Sequence, residues 1–423
     1  MITHIRHRSL LHFVALIATL AATAAPTAFA AESSASPRDH WVASWGAAQM
    51  PAEGQNVLPS EPRRNATLRQ IVRLSLGGSS MRVRVSNAFG TQPLHVLAVH
   101  VARATASDSG RIEGGSDRAL TFNEHADVVI PAGAEMTSDA LSLEVKALSS
   151  VAITMQIEAV PERQTGHVAS HATSYVAADA DVSATELPRA RAFDHWYFLS
   201  GIDVSAPAGF AIVTLGDSIT DGSGSTTNAN NRWPDVLTER LQQSRANRNL
   251  GVINAGIGGN RLLLDGNGPN ALARFDRDVL SRTGIRYLIV LEGINDLGVL
   301  TRDAPVSDAK HSELVDRMIG AYREMIARAR AHGITVIGAT LMPFTGFEFY
   351  HPDARNEADR QAVNAWIRTP GHFDAVIDLD KVTADRERPE RLNAQYDSGD
   401  HIHPSPAGYR AIGEAIPLEL FAR

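Results

Sequence analysis

The period of the hydrophobic pattern changes near residue 205, and this change constrains the fold more than any other feature of the sequence. Before it, apolar and polar residues alternate, as at 81–86, and such a period of two is typical of strands with one buried face. No segment of useful length repeats with the period of a helix. Residues 41–203 are therefore predicted to form an all-β region, a sandwich or jelly-roll-like domain of short strands.

Individual strands of this region can be predicted from short apolar runs that are bounded by turn residues. Such runs lie at 71–76, 81–86, 94–101, 128–130, 141–145 and 151–157. Between the first two stand Gly77, Gly78, Ser79 and Ser80, a composition that favours a tight turn. The two strands that flank this turn are predicted to pair as a hairpin.

After a segment at 205–209 that contains proline and glycine, apolar runs alternate with amphipathic stretches. The apolar runs predict strands at 210–215, 252–254, 287–291, 335–339 and 375–378, and the amphipathic stretches predict helices at 233–243, 270–280, 308–331, 356–367 and 406–415. This alternation predicts a mostly parallel sheet with helices on both faces, an α/β domain at 204–423. Ligands of such sheets bind beyond the carboxyl ends of the strands.

Residues 1–30 have the features of a signal peptide. A basic start is followed by an apolar run at 10–25, and Ala-Phe-Ala at 28–30 forms a small-x-small cleavage signal. Cleavage after Ala30 and a short linker at 31–40 are predicted, with an uncleaved membrane anchor as the alternative. We therefore expect a secreted or periplasmic protein.

Charge and cysteine content exclude several functional classes. The net charge is −7, and loss of Arg6 and Arg8 with the leader makes it more negative, so we expect no binding to nucleic acid and no stable membrane association. The sequence has no cysteine, which excludes disulfides, thiolate metal sites and a cysteine nucleophile.

A serine follows the first predicted strand of the second region. The strand at 210–215 leads directly into Gly216, Asp217 and Ser218. At the carboxyl edge of the sheet the Ser218 hydroxyl can act as a nucleophile, and its N–H, at the start of a helix, can stabilise a negative oxygen. Serine and aspartate are also common helix caps, so on this segment alone capping and catalysis both stay open.

The next two strand ends offer donors for such an oxygen. Residues 256–259 include three glycines, whose amides can approach a ligand closely. A dinucleotide-binding fingerprint is excluded because Arg261 stands in place of its third glycine, and no Gly-Lys-Ser/Thr triplet of a P-loop is present. After the third strand, Asn295 offers a side-chain amide, although Asn-Asp is also ordinary turn chemistry.

An aspartate and a histidine lie just before the last predicted helix. Asp400 and His403 are three residues apart, so the carboxylate can bind Nδ1–H and leave Nε2 free to accept a proton. A metal site that uses His401 and His403 stays open as an alternative, as does a solvent-exposed pair. No other cluster of matching ligands stands out, so neither a metal nor a cofactor is predicted. No metal role is assigned to His167 and His171.

The four segments together resemble the four sequence blocks of the SGNH/GDSL hydrolase superfamily, over residues 210–415. The residues that match these blocks are Gly216, Asp217, Ser218, Gly259, Gly293, Asn295, Asp296, Asp400 and His403. The resemblance implies a flavodoxin-like three-layer α/β/α domain with five parallel strands. One departure from the family pattern is Ile219, where many members have leucine.

Site roles are also implied by this resemblance. Ser218 is the expected nucleophile, His403 the general base and Asp400 the residue that orients His403. The amides of Ser218 and Gly259 and the side chain of Asn295 are the expected oxyanion hole. Residues 220–225 and 231–233 look like a branch of bacterial secreted arylesterases or acylhydrolases, some of them linked to xylan breakdown. Residues 85–90 look like the β-rich module that often precedes this branch.

We therefore expect a secreted serine esterase that hydrolyses short-chain carboxylic esters. Acetyl or aryl esters are the expected substrates, on small molecules or on acetylated plant polysaccharide. Phe344, Phe347 and Tyr350, beyond the fourth strand, are predicted to bind substrate, although packing beneath the loop stays equally open. The alternatives are a lysophospholipase or lipase-like acylhydrolase, an O-acetyltransferase, and a non-catalytic carbohydrate-binding protein on the same scaffold.

Overall fold

The computed structural model describes residues 40–58 and 62–421. The predicted signal peptide at 1–30 and all of the predicted linker except its last residue lie outside the described residues, so export stays a prediction. Within the described ranges, no helix combines the length and the apolar character that crossing a membrane requires.

The first part of the chain, called the β-rich region, contains fifteen strands within its described residues, 40–58 and 62–205. They are β1 (Trp41–Gly46), β2 (Met50–Ala52), β3 (Arg64–Arg73), β4 (Gly78–Ser86), β5 (Leu94–Arg103), β6 (Arg118–Ala119), β7 (Val128–Ile130), β8 (Glu135–Thr137), β9 (Leu141–Val145), β10 (Ser150–Ala159), β11 (Gln164–His167), β12 (Ser174–Ala178), β13 (Arg191–Phe193), β14 (Trp196–Tyr197) and β15 (Leu199–Ser205), with a short 3-10 helix at Gly54–Asn56.

These strands form three antiparallel sheets. One has the order β1-β15-β4-β8 with β9 also on β4, a second has the order β13-β12-β3-β10-β5-β6 with β7 on β5, and a small third has β14-β11-β2. Alternation along β4 buries Met81, Val83 and Val85 completely. The prediction of an all-β region is thereby confirmed.

The prediction of a hairpin around residues 77–80 is wrong. β3 pairs with β10 and β12, whereas β4 pairs with β15, β8 and β9 in another sheet. The glycines serve close packing instead of a turn, because a Cβ on Gly77 would lie 2.7 Å from the Val145 carbonyl and one on Gly78 would lie 2.7 Å from the Ser205 carbonyl. The chain therefore crosses from one sheet to the other at this point.

The second part of the chain, called the α/β region, alternates strands and helices. Its elements are β16 (Phe210–Gly216), α1 (Ser218–Asp221), α2 (Trp233–Gln243), β17 (Leu250–Gly256), α3 (Ala271–Phe275), a π-helical turn (Asp276–Leu280), β18 (Ile285–Leu291), α4 (Ile294–Thr301), α5 (Asp308–Ala331), β19 (Thr335–Ala339), α6 (Ala354–Arg368), β20 (Ala375–Ile377), α7 (Leu379–Thr383), α8 (Pro406–Ala415) and a 3-10 turn (Leu418–Phe421).

The five strands of this region form one parallel sheet in the order β17-β16-β18-β19-β20, which confirms the predicted α/β fold. β16 lies between β17 and β18, and Gly216 at its end is in register with Gly256 and with Leu291. The loops that leave these three strands therefore start side by side at one edge of the sheet. This edge is where parallel sheets bind ligands.

The two regions contact each other along the edge strand β17. Ala47, just after β1, forms a parallel bridge with Asn254, and the Ser75 hydroxyl accepts the Val252 N–H at 2.8 Å. Arg73 pairs with Glu239 of α2 at 3.1 Å. Buried apolar residues of both regions belong to one continuous hydrophobic cluster. The predicted domain boundary at 203/204 stays a prediction.

Candidate active site

A chain of hydrogen bonds joins three side chains that the sequence separates widely. Ser218 Oγ lies 2.8 Å from His403 Nε2, and His403 Nδ1 lies 2.6 Å from Asp400 Oδ2. The Ser218 hydroxyl is at the start of α1, and the other two residues lie on the loop before α8. The structure thus brings together all three residues predicted for the triad.

Asp400 is held as a carboxylate in a fixed orientation. Its Oδ1 accepts the backbone N–H groups of Ile402 and His403 at 3.1 and 2.9 Å, and its Oδ2 faces the His403 ring. Partial burial raises the pKa of Asp400, but the bonds from His403 and from the backbone lower it more, so the net pKa lies well below the ordinary value. An ionised Asp400 keeps Nδ1 of His403 protonated and Nε2 directed at the serine.

Ser218 owes its position to a tight junction between β16 and α1. Asp217 caps the helix by accepting the Ile219 N–H at 2.9 Å, and the helix ends at Gly222 with φ of +119°. A Cβ on Gly216 would lie 2.5 Å from the Leu291 carbonyl, so glycine is required at the strand end. The sequence left helix capping and catalysis open as alternatives for Ser218. In the structure Asp217 caps the helix, and its neighbour Ser218 is the first residue of the helix.

The three predicted oxyanion donors lie on the three adjacent strand ends. Gly259 has φ of +71°, a left-handed conformation that favours glycine. Asn295 is buried, its Nδ2 donates to the Asn260 carbonyl at 2.8 Å, and its Oδ1 accepts the Tyr350 hydroxyl at 2.8 Å. Among the described residues, no acceptor is assigned to the backbone N–H of Ser218 or of Gly259.

A buried guanidinium organises the strand ends beneath these donors. Arg274 donates to the carbonyls of Gly216 and Ala255 at 2.9 and 2.6 Å and to Asn260 Oδ1 at 2.9 Å. It also forms ion pairs with Asp278 and Glu292, and all three side chains are fully buried. Arg274 therefore ties two strands to the glycine loop, a role that no sequence motif indicated.

Burial also shifts the carboxyl groups near Ser218. Burial raises the pKa of Asp217 to about 7, although the hydrogen bond from the Ile219 N–H and the charge of His403 lower it. Burial raises the pKa of Asp296 to about 6, although its carboxylate accepts the N–H groups of Leu262 and Leu263. Perturbed pKa values of this kind cluster at functional sites.

The aromatic residues predicted to bind substrate lie in three different environments. Phe344 is 1% exposed, so a substrate can reach it only if the loop moves. The ring of Phe347 is partly exposed and lies 6.2 Å from the His403 ring. Tyr350 is buried and orients Asn295 through its hydroxyl. Of the three residues, Phe347 is the one positioned to contact a bound substrate.

The histidine beside His403 has a separate partner. His401 Nδ1 lies 2.6 Å from Asp397 Oδ2, and its side chain is about half exposed. Across residues 40–58 and 62–421, no group of three or more histidine, aspartate or glutamate side chains is arranged to hold a metal ion.

A buried histidine–aspartate pair was missed by sequence reasoning. His167 of β11 binds Asp221 of α1, with Nε2 2.9 Å from Oδ1. Asp221 lies three residues after Ser218, but its partner belongs to the other region of the molecule. Alternation along a strand predicts that a side chain is buried, and it does not predict its partner.

Comparison with known proteins identifies the part of the chain that contains this site. Residues 214–411 match the GDSL-like lipase/acylhydrolase family. No curated protein sequence matches the chain.

Several solved structures are similar to about half of the chain. A GDSL-like lipase from Bacteroides thetaiotaomicron is 21% identical, with a TM-score of 0.37 over 48% of this chain and 84% of that one. A variant of an acetyl xylan esterase from Geobacillus stearothermophilus is 20% identical, with a TM-score of 0.37 over 49% and 93%. An alpha/beta hydrolase enzyme from the metagenome of Lake Arreo, Spain, is 24% identical, with a TM-score of 0.37 over 49% and 93%.

Proposed function

From the GDSL-like lipase/acylhydrolase domain at residues 214–411, we propose that this protein is a serine esterase that hydrolyses carboxylic esters. The observation that carries the proposal is the continuous Ser218–His403–Asp400 hydrogen-bond chain, with distances of 2.8 and 2.6 Å. A hydroxyl, an imidazole and an ionised carboxylate in this order form the arrangement that activates a serine for acyl transfer.

In the first half of the reaction, Ser218 Oγ attacks the ester carbonyl carbon while His403 Nε2 accepts the hydroxyl proton. Asp400 stays ionised and stabilises the imidazolium that forms. The tetrahedral intermediate collapses with cleavage of the ester C–O bond, and His403 returns its proton to the leaving alcohol. The product of this half-reaction is an acyl group on Ser218.

In the second half, a water molecule takes the place of the alcohol. His403 accepts a proton from the water as its oxygen attacks the acyl carbon, and then returns the proton to Ser218 Oγ as the acid leaves. In both intermediates the negative oxygen accepts hydrogen bonds from the Ser218 and Gly259 amides and from Nδ2 of Asn295. Each of these preorganised donors is worth about 10²–10³ in turnover.

We propose that the acyl groups are short, with acetyl and small aryl esters as the preferred class. Phe347 stands beside His403 and limits the space near the nucleophile. Among the described residues, the large apolar side chains that are clearly exposed are Val129, Met136, Leu264 and Phe349, and four such side chains are too few for a broad surface that docks on lipid. An acetylated polysaccharide would be a suitable substrate, because its acyl groups are short and its chain is polar.

The test is an ester panel with wild-type protein and the Ser218→Ala variant. We expect hydrolysis of p-nitrophenyl acetate by the wild type and a loss of at least about 10⁴-fold in the variant, because the nucleophile is gone. Acetate release from acetylated xylan would then test the polysaccharide substrate directly. Equal rates for the two proteins on p-nitrophenyl acetate would refute the proposed function.

A second candidate, an acylhydrolase for longer chains, is favoured by an apolar pocket. The pocket has a volume of about 340 Å³ and includes Asp296 beside Asn295. Its lining combines apolar side chains with charged ones, namely Leu263, Leu264, Val299, Leu300 and Leu314 with Arg261, Lys310, Glu313 and Arg317. A pocket of this size and character can take a hydrocarbon chain. It borders Asp296, the residue that directly follows the proposed oxyanion donor Asn295 in sequence.

The two candidates differ in their dependence on chain length. If longer chains are preferred, p-nitrophenyl octanoate gives a higher kcat/KM than the acetate, and Leu264→Asp lowers the octanoate value alone. Leu264 is 54% exposed, so this substitution leaves the fold intact. If the acetate is preferred and Leu264→Asp changes neither value, the longer-chain function is excluded.

A further inference from the structure

We propose that the buried pair of His167 and Asp221, here called the cross-region clamp, positions the glycine loop that supplies an oxyanion donor. Nε2 of His167 lies 2.9 Å from Oδ1 of Asp221, and the two side chains are 3% and 2% exposed. The inference rests on the proposed esterase function, because it assigns the β-rich region a part in the same site.

The clamp reaches the glycine loop through the second oxygen of Asp221. Oδ2 accepts the Gly258 N–H at 2.9 Å, and the next residue is Gly259, whose N–H is a proposed oxyanion donor. One carboxylate thus holds the backbone at Gly258 with one oxygen while the other oxygen is fixed by His167. Without His167 the carboxylate is free to rotate, and the Gly258 amide loses its fixed acceptor.

His167 is positioned as a donor at both ring nitrogens. Nδ1 lies 2.9 Å from the Ala48 carbonyl, and Nε2 faces Asp221 and, at 3.3 Å, the Ala169 carbonyl. All three partners offer oxygen atoms that can accept, so the geometry fits a ring that is protonated at both nitrogens, an imidazolium. Its backbone partners belong to the β-rich region, so the ring is anchored there as well as bound to Asp221.

The electrostatics agree with a charged ring. Burial lowers the pKa of His167, but the charge of Asp221 and the hydrogen bond to it raise it more, so the net pKa lies above the ordinary value. The ring also stacks on Trp196 at 5.7 Å. Among the described side chains, His167 is the one that donates a hydrogen bond to Asp221.

Other charged groups near the clamp already have partners or are disfavoured as cations. The clamp lines a small cavity of about 30 Å³. Arg232 and Asp235 also line this cavity, and they bind each other at 2.7 Å. Arg73, also on the cavity wall, binds Glu239. Burial lowers the pKa of His171, which favours its neutral form. The cavity has room for a water molecule and not for a substrate, so the clamp acts by positioning.

The chain offers a matched control for a clamp mutation. His311 of α5 and Asp359 of α6 form another buried pair, with an Nδ1–Oδ2 distance of 2.5 Å and side chains 3% and 7% exposed. Neither residue has a hydrogen bond to Ser218, Gly259, Asn295, Asp400 or His403. The His311→Gln variant therefore has the stability cost of a broken buried pair without the loss of positioning.

The first experiment compares His167→Gln, Asp221→Asn and His311→Gln on p-nitrophenyl acetate, well below each melting temperature. We expect kcat/KM to fall roughly tenfold in the two clamp variants. This loss is smaller than that for removal of an oxyanion donor, because the Gly259 N–H is misplaced and not removed. The double variant should lose no more than either single variant, because both break one link. Wild-type kcat/KM in His167→Gln, or an equal loss in His311→Gln, overturns the proposal.

Two measurements do not depend on turnover. Amide hydrogen exchange at Gly258 and Gly259 should be faster in His167→Gln than in His311→Gln, and equal rates overturn the clamp. Nitrogen NMR of histidine-labelled wild type should show that His167 is still doubly protonated at a pH above 6.5, which is about the ordinary pKa of histidine. A neutral His167 ring at that pH also overturns the proposal. If the wild type hydrolyses no ester, the proposed function fails, and the exchange and NMR results still decide whether the clamp exists.

Discussion

The two regions of the molecule place their important residues in different ways. In the α/β region, parallel pairing of β16 with β17 and β18 puts three strand ends in register, so the residues that follow them meet automatically. In the β-rich region, neighbours are set by antiparallel pairing between distant segments, such as β3 with β10 and β12. The proposed catalytic residues therefore lie at the edge of the parallel sheet, and the β-rich region contacts this edge through His167 in the proposed clamp.

The comparison predicts that substitutions in the α/β site lower turnover without lowering stability, whereas substitutions in the β-rich region do the reverse. The cross-region clamp is the expected exception. The following four predictions test this division, in order of decreasing expected effect.

Asn295→Ala should have the largest effect of the four. It removes a proposed oxyanion donor, so kcat should fall by about 10²–10³ with a smaller change in KM. The measurement is steady-state hydrolysis of p-nitrophenyl acetate, with circular dichroism to check that the variant is folded. A folded variant that retains wild-type kcat would remove Asn295 from the proposed mechanism.

Gly78→Ala should destabilise the protein without slowing it. The new Cβ would lie 2.7 Å from the Ser205 carbonyl and 2.8 Å from Val204 Cβ, so β4 and β15 must move apart. We expect a loss of about 1–3 kcal/mol in the free energy of unfolding, measured with urea, and unchanged kcat/KM. Gly114→Ala is the control, since no atom lies within 4 Å of its Cβ.

Tyr350→Phe should lower kcat by about two- to tenfold. It removes the hydroxyl that donates to Asn295 Oδ1, so the amide loses one of the two bonds that fix its orientation. Tyr175→Phe, which removes a hydroxyl bonded to the Asp108 carbonyl in the β-rich region, should leave kcat unchanged. The same kcat for both variants would show that the Tyr350 hydroxyl does not position Asn295.

Arg73→Ala should have the smallest effect. The ion pair between Arg73 and Glu239 joins the two regions but is partly exposed, with side chains 19% and 36% accessible. A double-mutant cycle with Glu239→Ala should give a coupling free energy of at most about 1 kcal/mol. A much larger value would mean that the regions are held together by this pair more than by their shared core.

The α/β region could be predicted from sequence almost element by element. The helices Trp233–Gln243, Asp308–Ala331 and Pro406–Ala415 and the strand Thr335–Ala339 have the bounds that their apolar periodicity indicates. Periodicity and capping are local properties, so a single sequence contains them. The short helices α1, α4 and α7 were not predicted, because four to eight residues are too few to show a period.

What the sequence could not predict are contacts between distant segments. The pairing of β3 and β4 with different sheets, the bonds from Arg274 to two strand ends, and the link from His167 to Asp221 each depend on how the chain packs in three dimensions. A turn composition at 77–80 is compatible with a hairpin and with a crossover. Only the close approach of neighbouring backbones distinguishes them.

The contact between the regions has a consequence for any attempt to shorten this protein. β17 is an outer strand of the parallel sheet, and its outward backbone groups are met by Ala47 and by the Ser75 hydroxyl. A truncated version that begins at β16 would expose this strand together with the apolar surface beneath it, and bare sheet edges recruit other chains into aggregates. The preceding strands therefore protect the protein from aggregation by covering β17. A shortened version without them would need charged or proline substitutions along 250–256 to remain in solution.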